Sequence, residues 1–167
     1  MLPLKVLEYP HKALKTVCTA VTEFDDDLRV TVKAMLNLMY EDRGCGLAAN
    51  QAGILKRIVV MDVSSDYTEP RCYINPEIIE TQGEIFHEEG CLSLPGIFPK
   101  VKRAVNVTFR YHDEFGECHT LEADDLLAHC IQHEIDHLNG ILSIDRISPL
   151  KRALYIKKIE KSQRQAS

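Results

Sequence analysis

No hydrophobic run in this 167-residue chain approaches the ~20 residues of a membrane-spanning helix, so no membrane span is expected. Its six cysteines, at positions 18, 45, 72, 91, 118 and 130, contain no CxxC pair and no tight disulfide spacing, which points to a reduced, cytoplasmic setting. Surplus positive charge is also missing. The net charge is −5, so the overall balance gives no reason to expect a nucleic-acid or anionic membrane surface. Met1-Leu2-Pro3-Leu4-Lys5 lacks a basic stretch followed by an apolar core, so no signal peptide is expected there. There is no internal repeat, no low-complexity linker, and neither a GxGxxG nor a GK[ST] phosphate loop. Apolar content of 45% and charged content of 27% are ordinary for a globular protein, and the length suits one domain spanning residues 1–167.

What the chain does contain is Gln132-His133-Glu134-Ile135-Asp136-His137, an H-E-x-x-H pattern. On a helix, residues four apart lie one above the other, so His133 and His137 can hold one ion while Glu134 reaches water held there and takes its proton. The flanks suit a helix, with Asp124 as N-cap and Asn139-Gly140 as stop. At about 100° per residue, Leu127, Ile131 and Leu138 form a core face, and Asp125, Gln132 and Asp136 a polar one. Glu134 falls inside the apolar arc, where a carboxylate is costly unless it serves a partner or a reaction. His129 is also four residues from His133, but it lies two turns from His137, about 12 Å, and cannot share the ion; it is expected to line a pocket or be solvated. The plain alternative is a surface helix that carries histidines by chance.

Before this helix, residues 1–24 read as an extended arm. Residues 25–41 read as an amphipathic helix on Leu28, Val32, Met35, Leu36 and Met39, with aspartates 25–27 at its positive end. Gly44-Cys45-Gly46-Leu47-Ala48-Ala49-Asn50-Gln51 has little side-chain bulk and lets main chain approach a ligand, although a tight loop into a strand reads as well. Strands are expected at 57–63, at 71–80 with an interruption at Asn75-Pro76, and as a hairpin of 105–112 with 117–121. A short strand is expected at 141–144. Pro149 then opens a basic amphipathic helix to about Lys161, with frayed residues beyond it. The order predicts an α+β fold: mixed or antiparallel sheets around a central metal-binding helix, with a C-terminal helix.

A catalytic metal site usually has three protein ligands and an open position, so a third ligand must lie outside the helix. Cys91, in the shaped stretch Glu89-Gly90-Cys91-Leu92-Ser93-Leu94-Pro95-Gly96, stands out, although a free cysteine is by default a small buried hydrophobe. Asp145 is the alternative, and would make a zincin-type peptidase of the same helix. A third possibility is a structural metal site without turnover, which would need a fourth ligand.

Three stretches in order, GCGLAANQ, EGCLS and QHEIDH, resemble the signature motifs of peptide deformylases, and the likeness runs from the RIVVMD strand to ISPLKR. The resemblance implies removal of the N-formyl group from formyl-methionyl nascent peptides in a bacterial cytoplasm. It implies Cys91, His133 and His137 as ligands of Fe²⁺, replaceable by Ni²⁺, Co²⁺ or Zn²⁺. It also implies Glu134 as general base and then acid, and Gln51 with the Leu92 backbone N–H as oxyanion donors. Gly44, Gly46 and Gly90 would pair with the extended peptide, and Glu89 with Arg103 would form a supporting ion pair. The methionine pocket would be lined by Leu126, Cys130, His129 and Cys45. Cys45 stands where a branched aliphatic is common and His129 where an apolar residue often lines that pocket. Both departures leave the chemistry intact and bear on pocket shape. In some relatives a helix like the C-terminal one contacts the ribosome.

Overall fold

Helix α1 spans Asp26–Glu41 and begins where the Asp25 carboxylate accepts a hydrogen bond from Leu28 N at 3.0 Å. The computed structural model describes residues 3–166; the readings on Met1, Leu2 and Ser167 lie outside the described residues. Helix α1 buries Leu28, Val32, Met35 and Met39 as its periodicity predicts, and Leu38, which was not expected, in place of Leu36, which is only half-buried.

Seven strands follow in two sheets: β1 (Gly46–Ala48), β2 (Ile58–Met61), β3 (Arg71–Gln82), β4 (Ile85–Glu88), β5 (Lys100–Arg103), β6 (Asn106–His112) and β7 (Cys118–Ala123). The larger sheet has the order β1-β2-β3-β6-β7, and β4 pairs with β5. Every named pairing is antiparallel, and an isolated Thr19–Lys56 bridge is parallel. Strand β2 reads Ile-Val-Val-Met because both its faces are covered. Ile58 and Val60 pack with α1, whereas Val59 and Met61 pack with helix α2 (Asp125–Leu138). The larger sheet is thus held between two helices, and β1 lies at its edge beside α2.

Four expectations are corrected. The interruption expected at Asn75-Pro76 is present as a bulge, but β3 runs past residue 80 to Gln82. Asn75 adopts φ +51, the register shifts between Ile74 and Glu77, and the pairing with β6 resumes to Gln82. Both polar atoms of the Asn75 amide are used on Val21, which holds this bulge. Residues 141–144 are not a strand: Ser143–Arg146 is a 3₁₀ turn, because the Asp145 carboxylate turns back to Leu142 N at 2.9 Å. Helix α3 (Pro149–Ala166) does not fray beyond Lys161. Its apolar stripe is narrower than an amphipathic helix implies: Ile159 is buried with Tyr155 and Ile156 partly so, while Leu150 and Leu154 are exposed. Finally, the N-terminal arm is not wholly extended, since Lys12–Lys15 forms a 3₁₀ turn against Gly140. A Cβ at Gly140 (φ +73) would sit 2.6 Å from Lys15 O, so glycine is required there.

Candidate metal centre and active-site cavity

Helix α2 is buried on nearly every side. Ala128, Ile131, Ile135 and Leu138 lie in the core with Val59, Met61, Tyr73 and Phe109. Its C-terminal carbonyls are capped from elsewhere in the chain. Arg57 Nη1 donates to Leu138 O at 3.1 Å and Asn50 Nδ2 to His137 O at 2.5 Å. Gln132 clamps it to the β5–β6 connection, with Oε1 accepting from Ala104 N and Nε2 donating to Ala104 O. Asp124 occupies the N-cap position without a side-chain capping bond. These anchors fix the face that carries His133, Glu134 and His137.

On that face the ligand atoms of Cys91, His133 and His137 lie within 4.8 Å of one another. Cys91 Sγ is 3.3 Å from His137 Nε2, and the two Nε2 atoms are 3.1 Å apart. Three lone-pair atoms facing one another at such distances suit a cation. The His133 tautomer agrees: its Nδ1 is 2.8 Å from Glu89 Oε1, a carboxylate that holds the proton on Nδ1 and leaves Nε2 free to ligate. One thiolate and two imidazoles form a donor set for a divalent transition metal with an open position. Without an ion the histidines separate. His133 is driven well above the usual range; burial opposes this, but hydrogen bonding to Cys91 and Glu89 outweighs it. Burial and the neighbouring His133 charge push His137 well below that range.

Behind the ligands lies a buried ionic chain. Arg103 donates from Nε and Nη2 to Glu89 at 2.6 and 2.8 Å, and from Nη1 to Asp136 at 2.7 Å; Arg146 takes Asp136 from the other side at 2.6 and 2.7 Å. Burial works against the Glu89 carboxylate, but the Arg103 and His133 hydrogen bonds outweigh it and hold Glu89 at about 2. The resemblance implied an ion pair of Glu89 with Arg103, and the two side chains are in contact at 2.6 Å. Asp136, on the polar face that the periodicity predicts, is nonetheless buried, because two arginines satisfy it. Asp145 is corrected as an alternative ligand, being engaged by Lys15 and Arg152 away from the cluster.

Glu134 is buried beside the ligands, with Oε1 unpartnered. Burial, with no hydrogen bond to offset it, raises its carboxyl to about 7. Its Oε2 would lie 2.6 Å from a Cβ at position 46, so Gly46 is the residue that makes room for this carboxylate.

All this opens into one cavity of about 450 Å³. Gly44, Cys45, Gly46 and Gln51 form one wall, Glu89, Gly90, Cys91 and Leu92 another, and Leu126, His129, Cys130, His133 and Glu134 the floor. Gln51 is fixed by Ala48 N on its Oε1 and by Ser93 Oγ, 3.0 Å from its Nε2, which also lies 3.7 Å from Cys91 Sγ. Of the glycines that the resemblance pairs with the extended peptide, Gly46 is in strand and Gly44 is not, its N–H closing the end of α1 on Met39 O at 2.9 Å. His129 is half-buried and stacks on His87, with centroids 4.0 Å apart. His87 was not singled out from the sequence. The signal was its place two residues before Glu89 on an extended stretch, which puts both side chains on one face. Cys45 Sγ lies 3.4 Å from Cys130 Sγ, and that hydrogen bond brings the Cys45 thiol down to about 7.

A family model described as polypeptide deformylase matches residues 3–153. The chain is 51% identical over 161 residues to a peptide deformylase of Pseudoalteromonas translucida, covering 96% of each. It is 48% identical over 162 residues to peptide deformylase 1 of Shewanella oneidensis, covering 97% of this chain and 96% of that one. The crystal structure of a peptide deformylase from Legionella pneumophila superposes with a TM-score of 0.93 at 42% identity, covering 98% of this chain and 96% of that one. A peptide deformylase from Ehrlichia chaffeensis in complex with actinonin does so with a TM-score of 0.92 at 37% identity, covering 98% and 99%. The chain belongs to the polypeptide deformylase family of enzymes.

Proposed function

We propose that this cavity removes the N-formyl group from formyl-methionyl nascent peptides and releases formate, in a reaction that depends on a metal ion held by Cys91, His133 and His137. The observation that carries this reading is the convergence of those three ligand atoms next to a buried glutamate with one unpartnered oxygen. Fe²⁺ is the ion we assign, on the motif resemblance, with Ni²⁺ and Co²⁺ as substitutes and Zn²⁺ as a weaker one. When bound, the ion supplies Lewis-acid polarisation of the formyl group and acidifies water.

The chain's own residues do the rest. The substrate backbone adds to free strand edges: β1 is the outer strand of its sheet, β4 is paired only with β5, and both border the cavity. Main-chain pairing of this kind is tolerant of later side chains, as processing of many nascent proteins requires. The first side chain enters the pocket of Leu126, Cys130, His129 and Cys45, with His87 completing its wall. Glu134, buried beside the ligands with Oε1 unpartnered, takes a proton from the attacking water and passes it to the leaving amine. Gln51 Nε2, beside Cys91, and the Leu92 N–H stabilise the oxyanion, and losing one such donor typically costs ~10²–10³ in rate. No helix among the described residues is long and apolar enough to cross a membrane. The cytoplasm is the compartment we assign. Lys157, Lys158 and Lys161 lie exposed on α3, the surface we assign to ribosome contact.

The test is formate release from a formyl-Met peptide by anaerobically prepared protein, stripped by chelator and reloaded with Fe²⁺, Ni²⁺ or Zn²⁺. Release that returns with Fe²⁺ or Ni²⁺ supports the reading. Stoichiometric metal uptake without release overturns it.

A further inference from the structure

The described residues hold six cysteines, and only one pair faces each other: Cys45 Sγ and Cys130 Sγ, 3.4 Å apart on the cavity wall. A disulfide needs about 2.05 Å, so closing it asks for roughly 1.4 Å of movement. The chain can supply that movement, because Cys45 sits between Gly44 and Gly46, one residue before the edge strand β1, whereas Cys130 is held on α2. Access is in place on one side: Cys45 is exposed and Cys130 is buried behind it. The third cavity cysteine, Cys91, points to His137 and Gln51 and is occupied as a ligand in the metal-loaded protein.

We propose that Cys45 and Cys130 are a modification site for small-molecule disulfides, closed by them into a disulfide that ties β1 to α2 across the substrate pocket. The Cys45 thiolate attacks one sulfur of the small disulfide, forming a mixed disulfide and expelling the first thiolate. Cys130 then attacks the Cys45 sulfur, forming the Cys45–Cys130 bond and expelling the second. The two cysteines lose two electrons to the small disulfide, and their two protons end on the two thiols released. The tie pulls the Cys45 side of the wall inward. A displacement of this size is comparable to a one-methylene misfit in a pocket, which costs on the order of tenfold or more in binding discrimination. The cross-link itself does not depend on the proposed activity; its effect on turnover rests on that reading.

The experiment treats the Fe²⁺- or Ni²⁺-loaded chain with oxidised glutathione, traps free thiols by alkylation, and maps digested peptides by mass. The expected result is a Cys45–Cys130 cross-linked peptide that disappears on reduction, with a rise in KM for a formyl-Met peptide on the order of tenfold that reduction reverses. Cys45→Ser should lose the cross-link, and its KM, whatever its untreated value, should not respond to the oxidant. Finding Cys45 and Cys130 both alkylated, or each capped separately by glutathione, while exposed Cys118 has reacted, overturns the proposal. A cross-link with unchanged KM overturns the placement of the tie in the substrate pocket. Absence of formate release before oxidation would instead count against the deformylase reading, and leaves the cross-link measurement standing.

Discussion

Glu134→Gln should make the metal-free protein more stable while abolishing turnover, and the stability gain should grow with pH. Glu134 is buried with one oxygen unpartnered, and burial lifts its carboxyl from 4.5 to about 7. A group whose folded value lies above its unfolded value supports the fold below the unfolded value, and that support is lost as pH rises through the folded one. At 1.36 kcal/mol per unit, a shift of this size corresponds to about 3 kcal/mol, of which roughly 2–3 kcal/mol develops between pH 5 and pH 8.5. Glutamine has the same shape and no charge to bury, so the variant lacks this slope. Urea unfolding of both chains at the two pH values measures the difference, with formate release assayed alongside on metal-loaded protein. A stability difference that is flat with pH, or full turnover by the glutamine variant, would refute the reasoning.

Glu89→Gln removes one of the two carboxylates that pair with buried Arg103 and leaves Asp136 in place, so the cost should fall below the roughly 3–5 kcal/mol typical of a fully unpaired buried charge. Because Glu89 is held at about 2, below its unfolded value, its contribution is present above about 4.5 and is lost as pH falls towards 2, so the variant and parent denaturation midpoints should converge in acid. The same variant frees the His133 ring, and metal titration should show a 10–100-fold loss of affinity, the range typical of such supporting groups. Gly46→Ala drives a methyl onto Glu134 Oε2, and a carboxylate displaced by about 1 Å should cost on the order of 10² in kcat, while bound metal stays stoichiometric. Metal uptake should release protons and weaken as pH falls, because His133, raised in the metal-free protein, must lose its proton to ligate; a pH series of metal titrations reads this directly.

Much of the centre was legible because its chemistry is local in sequence. His133, Glu134 and His137 share a helical spacing, and Glu134 stands out as a carboxylate in an apolar arc. Cys91 was legible only as a cysteine in a shaped turn until the three motifs were read together, since its approach to His137 crosses 46 positions. The burial of Asp136 was not legible because helical periodicity records polarity and not partners: Arg103 and Arg146 come from a strand and a turn that no local window sees. Residues 141–144 look like a strand by composition, and a side-chain bond from Asp145 makes a turn of them. His87 and the Cys45–Cys130 contact arise where β4, β1 and α2 meet, which is a property of packing. The bulge at Asn75 shows the same limit, since the signal for an interruption was real but sheet pairing carried the strand past it.

The proposed reaction requires one sulfur and two nitrogens to meet one ion. X-ray absorption of the Ni²⁺-loaded chain, with Cys91→Ser beside it, measures this. One sulfur and two imidazole nitrogens should surround the metal, with the sulfur shell lost and the imidazoles kept in the variant. A parent spectrum without sulfur, or one with two sulfurs that survive Cys91→Ser, would contradict this ligation.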